Sequence, residues 1–216
     1  MASTSSLAST YGLQTALDRV SAVPRLWNGL RWLVEAGFHG ERAVIARELR
    51  PWAGDARRFL DLGCGTGEFA GDFPARRYVG IDPAVGYLRF AVRHRPGAFL
   101  AGAGEALPFA DASFDAALVL GVLHHLPDEQ ARAVMAELAR VLQPGATALI
   151  MEDTPPPPGQ NPAGQLMHAI DRGSHIRTND AYRALFSDWF TVVTTYAMRS
   201  GICDYAVYVL SRATIR

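Results

Sequence analysis

Five short apolar runs mark the middle of the chain: RFLDL (58–62), YVGID (78–82), AFLAG (98–102), FDAALVL (114–120) and ATALIME (146–152). Their length suits strands, and their near-continuous apolarity suits strands covered on both faces. Helical spacing fills the gaps at 84–94, which follows Asp82-Pro83, and at 128–142 (DEQARAVMAELARVL), where Pro144-Gly145 supplies a stop. Alternation of this kind predicts a parallel sheet wrapped by helices on both faces. Upstream, Leu26, Leu30, Leu33, Val34, Val44, Ile45 and Leu49 recur at three- and four-residue spacing. That predicts two or three helices within 11–50, broken at Pro24 and at Gly37 to Gly40, preceded by a Ser/Thr/Ala-rich start with no ordered pattern. After Pro155 to Pro158 the alternation stops, and helices are expected at 162–171 and 178–187. WFTVVTTYAM (189–198) and CDYAVYVLS (203–211), linked by a turn at Ser200-Gly201, then read as an antiparallel hairpin. The organisation expected is a helical cap over 1–50 and an α/β domain over 51–216, with a helical insert at about 155–187.

Composition narrows the chemistry. Formal charge is zero, with 21 basic and 21 acidic residues, so neither a nucleic-acid partner nor an anionic membrane is indicated. Every basic residue is arginine, which excludes a Schiff-base lysine and a G-K-[ST] phosphate loop. The two cysteines, Cys64 and Cys203, form no C-x-x-C pair, and no metal site is indicated. MASTSSLAST lacks a basic segment followed by an apolar core, and no apolar run reaches membrane-spanning length, so a cytoplasmic location is expected.

The sharpest local signal is RFLDLGCGTGEF (58–69), a glycine turn directly behind an apolar run. A dinucleotide fingerprint needs a third glycine where this chain has Glu68. The spacing is instead Asp61, Gly63, Gly65, Gly67, with Cys64 as a small residue between the first two glycines. A carboxylate in the opening turn of a following helix is a poor neighbour for a pyrophosphate, and Asp61 with Glu68 suits a ligand carrying positive charge. S-adenosylmethionine has no phosphate and carries an ammonium and a sulfonium. Bare backbone at Gly63 and Gly65 lets such a ligand approach closely, and Asp61 can accept from its amino end.

At this point the chain resembles the class I S-adenosylmethionine-dependent methyltransferases. LDLGCGTG looks like the family's first motif and VGIDP like its second, with Asp82 in the place of the acid that grips the ribose hydroxyls. GEALPFADASFDAALVLGVLHHL (104–126) is similar to the adenine loop, fourth strand and post-strand segment, and ELARVLQPGA (137–146) to the helix and turn before strand five. The resemblance spans roughly 58–153 and implies a Rossmann-like, doubly wound, seven-stranded and mostly parallel sheet whose last strand is antiparallel. It also implies that Pro83, Gly104, Leu107 and Leu120 line the cofactor. One departure is Ala103, where family members often place an Asp for the adenine amino group; Glu105 is the nearby acid.

The expected site lies beyond the carboxyl ends of the strands. There the polar residues are His124 and His125 after strand four, and Glu152 and Asp153 after strand five. They are the candidates for general base and acceptor contact, because imidazole titrates in the useful range. Trp27, His168, Asp171, His175 and Arg177 are candidate acceptor contacts from the flanking helices, although Trp27 reads first as core packing of the helical cap. With neutral charge and no [DN]-P-P-[YF] segment after strand four, a small organic acceptor is expected, with oxygen the first choice of accepting atom. An S-adenosylmethionine-binding regulatory or scaffold module that transfers nothing is the alternative.

Overall fold

The computed structural model describes residues 23–49, 57–155, 159–165 and 175–213. Seven strands, β1 (Phe59–Leu62), β2 (Tyr78–Asp82), β3 (Ala98–Ala101), β4 (Phe114–Leu120), β5 (Leu142–Asp153), β6 (Phe190–Ser200) and β7 (Cys203–Arg212), form one sheet. Their order is β3-β2-β1-β4-β5-β7-β6. The first five strands run parallel, and β7 is antiparallel to both β5 and β6. The chain winds outward from β1 through β2 to β3, then returns to the other side of β1 for β4. That reversal opens the crevice at which ligands bind in such sheets.

Five helices bounded within the described residues accompany the sheet: α1 (Pro24–Val34), α2 (His39–Glu48), α3 (Val85–His94), α4 (Asp128–Val141) and α5 (Asn179–Phe186). Alternation along the strands splits the core. Leu60, Leu62, Ala117 and Val119 face a cluster built with Val134, Met135 and Leu138 of α4 and Leu185 and Phe186 of α5. Phe59, Ala116, Leu118, Leu149 and Met151 face the other side, which Phe38, Val44, Ile45 and Leu49 cover. The expected cap over 1–50 is therefore divided in its described part. α2 belongs to the sheet's own helical layer, while α1 buries no residue fully and lies against α3.

Two boundaries depart from the sequence pattern. No α-helix follows the glycine turn. Ten residues separate Gly67 from Tyr78, and they form turns and one 3-10 turn at Ala70–Asp72. A 3-10 turn covers more distance per residue than an α-helix, which suits so short a crossover. β5 starts at Leu142, so Pro144-Gly145 sit in its irregular first residues, where the β4–β5 register shifts, and α4 ends at Val141. Pro24 stands in the first turn of α1, where its missing N–H costs nothing, in agreement with the predicted break; the residues ahead of Val23 lie outside the described residues. The predicted break at Gly37 stands, with Gly37 at φ +70 and Phe38 at φ +60. Of the helix expected at 162–171, residues 162–165 are helical and the remainder lies outside the described residues.

The N-terminal helices are latched to the β6–β7 hairpin. The Ile202 N–H donates to the Val34 carbonyl at 2.9 Å, and a Cβ on Gly201 would come within 2.1 Å of that same oxygen. Only glycine fits this turn. Beside it, Glu35 takes two bonds from Arg31 (2.7 and 3.1 Å) and one from the Tyr205 hydroxyl (3.1 Å). The Ser200 hydroxyl lies 2.9 Å from the Glu35 carbonyl and 2.5 Å from the Glu41 carboxyl group. Its one proton can serve either acceptor, and donation to Glu41 favours that residue's ionised form. Burial first, and the neighbouring Glu35 carboxylate second, push Glu41 up to about 8.

This latch makes stability fall with rising pH. Unfolded, Glu41 ionises near its ordinary 4.5; folded, it holds its proton to about 8. Its contribution is complete below the ordinary value and is lost as pH climbs through the folded value. Asp61, pushed up to about 7, acts in the same direction. We expect the melting temperature to drop by about 5 °C or more between about pH 5 and pH 9, each unit of pKa difference corresponding to about 1.4 kcal/mol. Glu41→Gln should flatten that profile in part. An unchanged slope in scanning calorimetry would remove Glu41 as the source.

Candidate active site

The site begins where β1 ends. Gly63, Gly65 and Gly67 all have positive φ (+77, +52 and +69), a conformation that side chains resist. Two of them are fixed by crowding. A Cβ on Gly63 would lie 2.3 Å from Val122 Cγ2, and one on Gly67 2.8 Å from the Phe99 ring. Gly65 differs: a Cβ there would meet only the Tyr87 ring, at 3.9 Å, so its outer side is open to a ligand. Cys64 is buried against Gly80 as the small residue expected, and burial pushes its thiol far above the ordinary range.

Asp82, at the end of β2, ties this turn to the next. Its Oδ2 accepts from the Gly65 N–H at 2.8 Å and its Oδ1 from the Ala84 N–H at 2.7 Å. Burial raises its pKa, and the two backbone bonds oppose that rise. Each oxygen keeps a further lone pair for another donor. Pro83, beside it, is exposed.

The other two acids behave differently from the sequence expectation. Glu68 is spent on arginines: Arg42 reaches it at 2.7 Å and Arg95 pairs with its second oxygen. It is a tie between α2, the glycine turn and the end of α3, and no negative charge is left for a ligand. Asp61 points into the sheet's buried face, where the Tyr78 hydroxyl donates to it at 2.5 Å. Burial, with Asp82 adding to it, keeps its carboxyl up at about 7 despite that bond. Neither pairing was legible, because both partners lie far off in sequence.

The adenine-side candidates divide as well. Gly104 packs against Val134 and Leu62, with 3.1 Å available to a Cβ, and Glu105 is half-buried. Leu107 faces the core. Its N–H donates to Glu137 at 2.7 Å and its carbonyl accepts from Arg140 at 3.0 Å, so the loop is held from α4. Leu120 is half-buried against the α2-side core.

The ends of β4 and β5 carry the densest polar arrangement. Glu152 is fully buried, and its carboxylate accepts the N–H groups of Val122 (3.1 Å), Leu123 (2.8 Å) and His124 (3.1 Å). It also lies 2.7 Å from His124 Nδ1. A carboxylate there fixes the tautomer: Nδ1 carries the proton and Nε2 presents its lone pair. Nε2 in turn lies 3.7 Å from Asp153 Oδ2. His124 is 3% exposed, while His125 is exposed with its ring 4.0 Å from that of His124.

Arg177 holds this turn from outside. Its guanidinium donates to the carbonyls of Leu123 (2.6 Å), Leu126 (2.6 Å) and His175 (3.0 Å) and to Asp128 (2.9 Å). The His175 N–H donates to the His124 carbonyl at 2.9 Å. Arg177 and the His175 backbone thus clamp the turn, the expectation of an acceptor contact at Arg177 notwithstanding. Trp27 is half-buried on α1. His168 and Asp171 lie outside the described residues. Three participants went unread: Asn28, which accepts from the Thr66 hydroxyl at 2.7 Å and brings α1 onto the glycine turn, and the Glu35–Tyr205 pair beside β5. Asn28 lies in mid-helix and Glu35 at the helix end, and neither belongs to a motif, so nothing in the sequence marked them.

Comparison with known proteins agrees with this geometry. Residues 60–150 match the family model described as a methyltransferase domain. A malonyl-[acyl-carrier protein] O-methyltransferase from Methylococcus capsulatus is 42% identical over 96 residues, which cover 41% of this chain and 34% of that protein. A demethylmenaquinone methyltransferase from Corynebacterium kroppenstedtii is 35% identical over 117 residues, covering 53% of this chain and 49% of that one. The matches thus span half or less of these relatives' length. Among solved structures, an S-adenosylmethionine-dependent methyltransferase from Methanosarcina mazei superposes with a TM-score of 0.61 at 21% identity, covering 80% of this chain and 98% of that one. With its glycine turn, its acid at the end of β2 and its seven-stranded order, the chain is similar over residues 60–150 to a methyltransferase domain and shares its fold with S-adenosylmethionine-dependent methyltransferases.

Proposed function

We propose that this chain methylates an oxygen of a small organic acceptor, with His124 as the general base. S-adenosylmethionine, when bound, supplies a methyl group made electrophilic by its sulfonium. The residues present fit that cofactor: Gly65 is open where a Cβ would obstruct it, Asp82 has lone pairs left for two hydroxyls, and no lysine or glycine-lysine loop prepares the turn for phosphate. Gly65 seats the ligand in a turn that Gly63 and Gly67 shape, and Asp82 orients its ribose while keeping the turn in place.

The observation that carries the reading is the Glu152–His124–Asp153 line. Glu152 holds Nδ1–H, so Nε2 is the atom that takes the acceptor's hydroxyl proton. The imidazolium then formed stands between two carboxylates, Glu152 at 2.7 Å and Asp153 at 3.7 Å, and both stabilise it. Oxygen is favoured because a hydroxyl must lose its proton as the bond to carbon forms, and this arrangement receives one. The relatives' names, a malonyl-[acyl-carrier protein] O-methyltransferase among them, support small organic acceptors.

A second reading has one observation in its favour. The [4+2]-cyclase SpnF superposes on this chain with a TM-score of 0.64 at 17% identity, covering 81% of this chain and 80% of that one. This fold therefore also serves a protein named for a different reaction. Together with Ala103 in the adenine loop, it favours a chain that binds the cofactor without transferring from it.

Two measurements test these assignments. Asp82→Ala should weaken S-adenosylhomocysteine binding at least about tenfold in titration calorimetry, since it removes a charge-assisted partner of the ribose and loosens the Gly65 turn. Wild-type affinity in that variant defeats the ribose assignment. His124→Gln should leave that affinity within a factor of about 2 and lower turnover by roughly 100-fold or more in an acceptor screen with methyl-labelled cofactor. Turnover on any acceptor eliminates the non-transferring reading, and full turnover in His124→Gln eliminates His124 as base.

A further inference from the structure

The outward side of α1 has the wrong polarity for a free surface. Its exposed positions are Arg25, Leu26, Gly29, Trp32 and Leu33, which recur at helical spacing and form one face. Leu26, Trp32 and Leu33 are 58%, 60% and 70% exposed, and Val23 just ahead of the helix is exposed too. The half-buried positions of α1 include its polar residues Asn28 and Arg31, which bond to Thr66 and Glu35. α1 is thus amphipathic with its apolar side turned out.

The neighbouring helix continues this surface. α3 touches α1 and exposes Val85, Arg89, Val92 and Arg93, again one helical stripe. Six of the seven large apolar side chains exposed among the described residues lie on α1, its preceding residue and α3. No Asp or Glu occurs in 23–34 or in 83–104. Arg25, Arg89 and Arg93 are exposed, and no ion pair engages them among the described residues. A chain of zero net charge has therefore placed a cationic, apolar and acid-free face beside the glycine turn and Asp82.

We propose that the α1–α3 face docks on an anionic lipid surface. Apolar side chains projecting from convex helices, interleaved with cations, are the arrangement of helices that lie in a bilayer's headgroup region. An indole suits that interface, and arginine pairs its planar fork with phosphate while its stem stays among apolar groups. A second copy of this chain fits less well, because a twofold contact would bring Arg25, Arg89 and Arg93 against themselves. Docking there would turn the rim of the cofactor turn toward the lipid. The proposal concerns a surface and stands independently of whether His124 is the base.

The test is co-sedimentation of the full chain with vesicles of phosphatidylcholine alone and of phosphatidylcholine with phosphatidylglycerol. Binding should appear only with the anionic vesicles and weaken as salt is raised. Leu26→Ser with Leu33→Ser, and separately Arg89→Glu with Arg93→Glu, should each lower partitioning at least about tenfold, with circular dichroism and S-adenosylhomocysteine affinity unchanged. Tryptophan emission should shift to the blue on docking, and Trp32→Phe should abolish the shift while leaving binding in place. No binding to anionic vesicles overturns the proposal, whether or not an acidic protein takes the face instead. So does binding that ignores the paired substitutions, or self-association in sedimentation velocity that Leu26→Ser with Leu33→Ser abolishes.

Discussion

The carboxylate of Glu152 is the point on which the rest of the site depends. A buried anion is costly unless its oxygens are fully used, and here three backbone N–H groups and an imidazole converge on it. The bond runs between the end of β5 and the turn after β4, so one residue sets the shape of that turn, the tautomer of His124 and the direction of its Nε2. Arg177 completes the arrangement from the other side, donating to carbonyls of the same turn. The turn's donors are met by an acid and its acceptors by a base, which leaves it one conformation.

Asp82 repeats this logic on the cofactor side. It joins the Gly65 N–H to the Ala84 N–H and so couples the first turn to the second. The glycines around it serve different needs. Gly63 and Gly67 are excluded from carrying a side chain by Val122 and Phe99, while Gly65 alone is left open outward. A motif that looks uniform in sequence is two packing glycines around one that serves the ligand.

Charge in this protein is arranged locally. Glu68, Asp72, Arg42 and Arg95 fasten the N-terminal helices to the glycine turn, and Glu35, Glu41, Arg31 and Ser200 fasten them to the hairpin. These ties consume the acids of the N-terminal segment on its inner side. Arg25, Arg89 and Arg93, which no ion pair engages among the described residues, remain outside, which is how a neutral composition yields a cationic face.

The order of elements was legible in the chain. Apolar runs of strand length, the 84–94 and 128–142 helical patterns and the hairpin link at Gly201 each report a local constraint, since periodicity and turn chemistry act over a few residues. The glycine spacing and Asp82 were legible for the same reason. What the sequence alone did not determine is which acids are free. Glu68 reads as a ligand partner until Arg42 and Arg95 meet it, Asp61 until Tyr78 does, and Arg177 until it closes on the turn after β4. Ion pairing and burial are set by residues tens of positions apart, and their strength depends on the dielectric the fold creates around them. Sequence determined the frame and the cofactor turn; tertiary structure decided which charges remain available, because only packing brings distant partners within bonding distance.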